Sequence, residues 1–303
     1  MSVEAFIDDI SLYLGENVPI ESTLANRPSE AEMRRLRNGG MISYSELPND
    51  IGRMALPALE QFFARRSRAP EIDTIVVTSG SGFIIPDREK ILLQLFQRFG
   101  ISNVRYVRVA GTFCADAAAA LDYAAGLIRR GRAKCALLLS VNRQDETRNR
   151  YSDAHGCLLG DGVVACLIQS NEGQFRILDA TSQSRVDMIE AMATADKYLR
   201  LSRQLIKGAV ESLRVTEISQ YRHVITANLG KEYLAFVALA LGIDVDLVFA
   251  ENVHRFGHIH ECDYLINLAS WQARQRPEAV SGQKILICAL GKASAGAIAL
   301  EVA

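Results

Sequence analysis

The 303-residue sequence has no CxxC spacing among its six cysteines, no apolar run near 20 residues, and no excess of one charge sign. Each absence excludes a class. Unpaired cysteines at 114, 135, 157, 166, 262 and 288 argue against a disulfide scaffold or a zinc knuckle. The first ten residues carry two aspartates and read as no secretory leader, so free thiols in a reducing, cytoplasmic compartment are expected. The longest apolar stretches are broken by charge or glycine and fall short of the roughly 20 residues that cross a bilayer, so no membrane partner is expected. A formal charge of -1, from 34 basic and 35 acidic residues, gives no net attraction to nucleic acid.

What is present is a chain 49% hydrophobic, enough for a large core. Residues 6–14 read as a strand. Ser29 with Glu32 three positions on reads as a helix start, and residues 50–66 as an amphipathic helix. The β-branched run 72–78 ends in Ser79, Gly80, Ser81 and Gly82, a strand followed by a tight loop. Residues 86–99 return to helical period, 104–109 to a short strand, and 114–130 form an alanine-rich helix. Strands are expected at 134–141, after Gly162, at 223–228, 245–250, 284–290 and 297–302, with helices over 188–213, 234–241 and 266–274. Strand alternating with helix gives the α/β class. The character changes most around 171–173, which sets the expected halves at 1–171 and 172–303.

Cys114 stands between a β-type run and the alanine-rich helix. In a first helical turn, free backbone N–H groups favour an anion, and a thiolate is the species that attacks a thioester carbonyl. The alternative is a small buried hydrophobe, the ordinary role of a free cysteine.

Four segments carry a resemblance. GTFCADAAAALDYAAGLIRRGRAKCALLLSV (111–141) resembles the nucleophile helix and following core strand of the ketoacyl synthase III branch of the thiolase-like superfamily. IDTIVVTSGSGFIIPD (72–87), LLGDGVVACLI (158–168) and KILICALGKASAGAIALEV (284–302) resemble its upstream strand and loop, its GDG strand pair and its closing glycine loop. The resemblance implies a five-layer α-β-α-β-α fold of two pseudo-duplicated halves, usually a homodimer. It also implies acyl-CoA or a phosphopantetheine-linked acyl carrier protein as substrate and partner, with no permanently bound cofactor.

In that family the cysteine works with a His and an Asn from the second half. Here VITANLG (224–230) keeps Ala227 and Asn228 but has Ile225 at the His position, and RFGHIHECD (255–263) has His258 where the Asn is expected. His258 is therefore the expected base, with Asp263 to orient it and His260 and Glu261 as competitors. Asn228 is expected to meet the substrate carbonyl or a water. The amides of Cys114 and Gly291 are expected to face the oxyanion, and Arg34, Arg35 and Arg37 to meet coenzyme A phosphates or a carrier protein. Lys292 and Ser294 depart from the family's loop.

His254, His258, His260, Cys262 and Asp263 are dense enough to ligate a metal, but without a known spacing no metal is expected. His223 reads as a structural residue, and Gly160, Asp161 and Gly162 as a turn rather than a phosphate loop. The favoured reaction is acyl transfer from acyl-Cys114 to an acceptor activated by His258. The alternatives are decarboxylative 3-oxoacyl synthesis and a non-catalytic partner subunit of a ketosynthase-like complex.

Overall fold

A computed structural model describes residues 3–22, 28–48, 50–65, 71–82, 84–144, 150–152, 156–188, 194–214 and 217–303. The first part of the chain contains β1 (Ala5–Leu14), β2 (Glu16–Pro19), α1 (Glu30–Asn38), β3 (Ser43–Glu46), α2 (Ile51–Ala64), β4 (Thr74–Thr78), α3 (Pro86–Arg98) and β5 (Arg105–Val109). Then come α4 (Asp116–Arg129), β6 (Cys135–Asn142), the short pair β7 (Tyr151–Ser152) and β8 (Cys157–Leu158), and β9 (Gly162–Ser170). The remainder is β10 (Phe175–Ser184), α5 (Ala195–Glu211), β11 (Tyr221–Ile225), α6 (Lys231–Leu241), α7 (Cys262–Gln272), α8 (Pro277–Val280), β12 (Lys284–Leu290) and β13 (Ser294–Val302).

Side chains on a strand alternate between faces, and the apolar strands use both. On β6, Cys135, Leu137, Leu139 and Val141 pack with Met54, Leu59 and Phe62 of α2 and Leu92 and Phe96 of α3. Its Ala136 and Leu138 pack instead with α4. On β12, Ile285, Ile287 and Ala289 share that central cluster with α4 and α7, while Leu286 and Cys288 face Leu205 and Ile206 of α5 and Leu234 and Val237 of α6. The order is helices, strands, central helices, strands, helices: the α/β layering expected.

The strands run β11-β12-β13-β10-β1-β9-β6-β4-β5 in one mixed sheet. Pairs β4–β5, β4–β6 and β11–β12 are parallel, the others antiparallel. Strand β1 joins the two sets: it pairs with β9 over most of its length and with β10 at Ala5, Phe6 and Ile7.

Local chemistry accounts for several boundaries. Ser29 Oγ accepts from the Glu32 amide and Glu32 Oε2 accepts from the Ser29 amide, the reciprocal cap read from the sequence. Asp50 caps α2 through the Arg53 amide. The strand expected at 245–250 is not formed: Val245–Leu247 is a 3-10 turn, initiated by Asp244 accepting from the Asp246 amide, and only Val248 bridges to Val224. Part of the helix expected over 188–213 lies outside the described residues, at 189–193; α5 occupies Ala195–Glu211. Among the described residues no helix is long and apolar enough to cross a membrane.

Candidate active site

Cys114 does not lie in the first turn of α4, as expected, but one step earlier, in a 3-10 turn spanning Phe113–Ala115. Asp116 explains the difference. Its buried carboxylate accepts from both the Thr112 amide (2.8 Å) and hydroxyl (2.6 Å), which folds the loop back over the helix start. Phe113 consequently takes φ +54°, a left-handed conformation rare for a bulky side chain and found at functional sites. Opposite, Gly291 approaches so closely that a Cβ would collide with the Thr112 carbonyl oxygen. The loop is thus held from two sides, with Cys114 half-buried on it.

The second half of the site comes from the turn before α7. The His258 backbone is pinned to the β8 end of the GDG segment: its amide donates to the Leu158 carbonyl (2.7 Å), and the Gly160 amide donates to its carbonyl (2.9 Å). Gly257 makes this approach possible, with φ +67° and a Cβ position only 2.9 Å from the Leu158 oxygen. His258 Nε2 then lies 3.1 Å from Cys114 Sγ, and His258 Nδ1 lies 2.6 Å from Asp263 Oδ2. Asp263 reaches the ring because His260, at φ +49°, turns the chain back on itself.

Asp263 is itself saturated by donors. Oδ1 accepts from the Ile259 amide (2.8 Å) and Oδ2 from the Asn228 amide (2.7 Å), with Asn228 Nδ2 at 3.2 Å from Oδ1. Burial alone would lower the basicity of the His258 imidazole; the charges of Cys114 and Asp263, with hydrogen bonds to both, outweigh it and raise its pKa to about 10. A raised histidine contributes stability fully present below its unfolded value near 6.5 and lost as pH rises toward 10.

His260 is the second imidazole at the sulfur, with Nδ1 3.5 Å from Sγ. Glu261 points the other way, fully buried, its Oε2 accepting from the Gly80 amide at 2.7 Å. Burial, and then the negative charge of Asp116, push the Glu261 carboxyl up to about 8. Ligand atoms of Cys114, His258 and His260 all lie within 4.8 Å of one another.

A cavity of about 510 Å³ opens onto Cys114, His258 and His260. Tyr198, Leu199, Tyr233 and Phe236 give it an apolar wall; Arg35, Glu232 and Lys292 supply charge.

A sequence profile of 3-oxoacyl-[acyl-carrier-protein (ACP)] synthase III matches residues 110–185, the stretch holding Cys114, the GDG turn and β10. No curated protein matches the chain by sequence. Among solved structures, ChlB3, described as an acyltransferase, superposes with a TM-score of 0.82 at 19% identity, covering 99% of this chain and 98% of its own. The 3-oxoacyl-[acyl-carrier-protein] synthase III of Aquifex aeolicus VF5 superposes at 0.77 with 18% identity, over 98% and 99%. Cerulenin-bound OleA of Xanthomonas campestris superposes at 0.76 with 13% identity, over 98% of each. The chain shares the fold of these structures, the thiolase-like fold.

On this thiolase-like frame, the other expected residues separate clearly. Asn228 does not line the cavity: its amide and Nδ2 serve Asp263, and its Oδ1 accepts from Asn267 Nδ2 at 3.0 Å. Its polar atoms are thus taken up by Asp263 and Asn267. The Gly291 amide is not directed at an oxyanion either. It donates to the Ser294 carbonyl at 2.7 Å, closing the turn into β13, which leaves the Cys114 amide of the expected pair. Of the three arginines only Arg35 lines the cavity; Arg34 pairs with Glu30 and Arg37 with Glu21 on the surface of α1.

Lys292 lies over the Phe113 ring at 4.7 Å, while the Ser294 hydroxyl bonds Ser184 at 2.7 Å. The GDG segment is structural, as read. Asp161 is fully buried, pairs with Arg150 through both oxygens at 2.6 and 2.8 Å, and accepts from the Leu47 and Gln144 amides. His223 packs on Trp271 at 5.1 Å between ring centroids, and burial lowers its pKa. Cys262 is buried, its thiol pushed up by burial and by Glu261, with Asn142 Nδ2 at 3.4 Å. Asp116 is the functional residue the sequence reading missed; its signal was the pair Thr112 and Asp116 four positions apart across a helix start.

Proposed function

We propose that this chain is an enzyme that loads an acyl group from a coenzyme A or carrier-protein thioester onto Cys114 and then joins it to a second thioester by decarboxylative condensation. The reading is carried by one observation: two imidazole nitrogens, His258 Nε2 and His260 Nδ1, converge on the sulfur. In loading, the Cys114 thiolate attacks the thioester carbonyl, the carbon–sulfur bond to the donor breaks, and the departing thiolate takes the proton held at His258. The Cys114 amide faces the developing oxyanion. In the second half, once His258 Nε2 has regained a proton from solvent, a malonyl-type thioester loses carbon dioxide; its enolate oxygen accepts from the His258 and His260 rings, and its carbon attacks the acyl carbonyl as Cys114 leaves as thiolate. His260 supplies the second ring that Ile225 withholds, so condensation ranks above the simple transfer favoured from sequence.

Transfer to an alcohol, amine or thiol is the second reading. The carboxylate–imidazole pair of Asp263 and His258 supports it, since that pair turns Nε2 into a base once the sulfur is acylated. The similarity to ChlB3 is consistent with it. Binding of a carrier protein or coenzyme A at the Arg35 side of the cavity, and pairing of two copies, belong to the same proposal.

Intact-mass measurement after incubation with a panel of acyl-CoAs and acyl carrier proteins tests the first half: an adduct is expected, lost in Cys114→Ala. Addition of malonyl thioesters then separates the readings. Carbon dioxide release with a 3-oxoacyl product is the expected result; an ester or amide without carbon dioxide assigns transfer, and no adduct with any donor assigns a non-catalytic subunit.

A further inference from the structure

The three groups at the nucleophile have a property that acyl chemistry does not require. A tetrahedral zinc site places sulfur about 2.3 Å and nitrogen about 2.0–2.1 Å from the ion, which separates the sulfur from each nitrogen by about 3.6 Å. Cys114 Sγ stands 3.5 Å from His260 Nδ1 and 3.1 Å from His258 Nε2, so one separation already fits and the other needs to open by about half an ångström. All three ligand atoms fall within 4.8 Å of one another. The far side of the His258 ring is also arranged for a metal. Its Nδ1 is held by Asp263 Oδ2 at 2.6 Å, and that carboxylate is fixed in turn by the Asn228 and Ile259 amides. A carboxylate behind a ligating histidine fixes the tautomer that presents Nε2 to the ion and strengthens the ligand.

We propose that Cys114, His258 and His260 form a three-ligand site for zinc, with the fourth coordination position open to the cavity, and that zinc held there blocks acyl loading. One sulfur and two imidazoles suit a borderline-soft ion; magnesium and calcium, which take oxygen ligands, are excluded by the donor set. On binding, the proton between Sγ and Nε2 leaves to solvent, the sulfur and nitrogen lone pairs go to the ion, and nothing is oxidised. The metal and an acyl group compete for the same sulfur lone pair, so occupancy by one precludes the other. His254, exposed in the same segment, takes no part, and Cys262 is turned toward Asn142.

Cobalt is the probe, because a four-coordinate cobalt thiolate absorbs and zinc is silent. Titrating the chelator-treated full chain with Co²⁺ is expected to give one equivalent of four-coordinate bands with a sulfur-to-cobalt charge-transfer band. Excess Zn²⁺ is expected to abolish these bands and to slow alkylation of Cys114 by iodoacetamide at least tenfold. Cys114→Ser is expected to lose the charge-transfer band. His260→Gln is expected to weaken Co²⁺ binding at least tenfold, and Asp263→Asn by 10- to 100-fold. His254→Gln is expected to bind as the native chain does, and circular dichroism of each variant separates loss of a ligand from loss of fold. A spectrum without the thiolate band, or an alkylation rate indifferent to Zn²⁺, overturns the proposal. Neither readout involves turnover, so the outcome is independent of which thioester reaction the enzyme performs.

Discussion

Asp263 Oδ2 is shared between two donors from different parts of the chain, His258 Nδ1 at 2.6 Å and the Asn228 amide at 2.7 Å. One carboxylate oxygen therefore couples the end of β11 to the imidazole beside Cys114. Asp263→Asn keeps the shape and removes the charge, so the ring faces a neutral amide in place of the carboxylate. Acyl loading of Cys114, followed by rapid-quench mass measurement, is expected to slow by about 10²- to 10⁴-fold. Loading within threefold of the native rate would show that Asp263 only supports the fold.

Glu261 predicts a pH dependence with a definite sign. Its carboxyl is raised from 4.5 to about 8, so the folded chain holds a proton that the unfolded chain releases between these values. Its contribution is fully present below about 4.5 and is lost as pH climbs through 8. In Glu261→Gln the Gly80 amide keeps an oxygen acceptor while the titration disappears. Urea denaturation from pH 5 to 9 is expected to show native stability falling relative to the variant by roughly 2–4 kcal/mol. Parallel curves would mean that Glu261 is charged throughout.

Gly257→Ala tests the pinning of the histidine segment. The positive φ and the Leu158 oxygen both oppose a Cβ there. A loss of about 1–3 kcal/mol in chemical denaturation is expected, together with slower loading as His258 is displaced.

The arginines of α1 separate cavity from surface. Arg35→Ala is expected to raise KM for a coenzyme A donor about tenfold, the worth of one charge-assisted hydrogen bond, with Arg34→Ala and Arg37→Ala unchanged. Equal effects of all three would point to a diffuse electrostatic contribution instead.

Much of this organisation is legible in the residues themselves. The run at 284–290 forms β12 with its predicted ends, and the Ser29 and Glu32 pair caps α1, because burial on two faces and end-capping are both encoded within a few neighbours. Cys114, His258 and Asp263 could also be singled out from the motifs that hold them, and the structure brings their side chains together. Less legible was what depends on backbone conformation set from a distance. The left-handed turns at Phe113 and His260 decide that Cys114 precedes the helix and that the second imidazole meets the sulfur, and neither residue type announces such a conformation. The Gly291 amide was misassigned for a similar reason: the residue is a close-approach glycine, but the Ser294 carbonyl that claims its proton belongs to a turn whose register only the pairing of β12 with β13 defines.

Strand β1, flanked on one side by β9 and on the other by β10, has a consequence for how the molecule is made. During synthesis, residues 5–14 emerge some 150 residues ahead of the segments they bond. Their apolar side chains must wait on the ribosome without partners, and the central layer cannot close until the middle of the chain arrives. Chaperone dependence should therefore track the length of that wait, and a chain opened at the loop before β9 with its ends rejoined would shorten it.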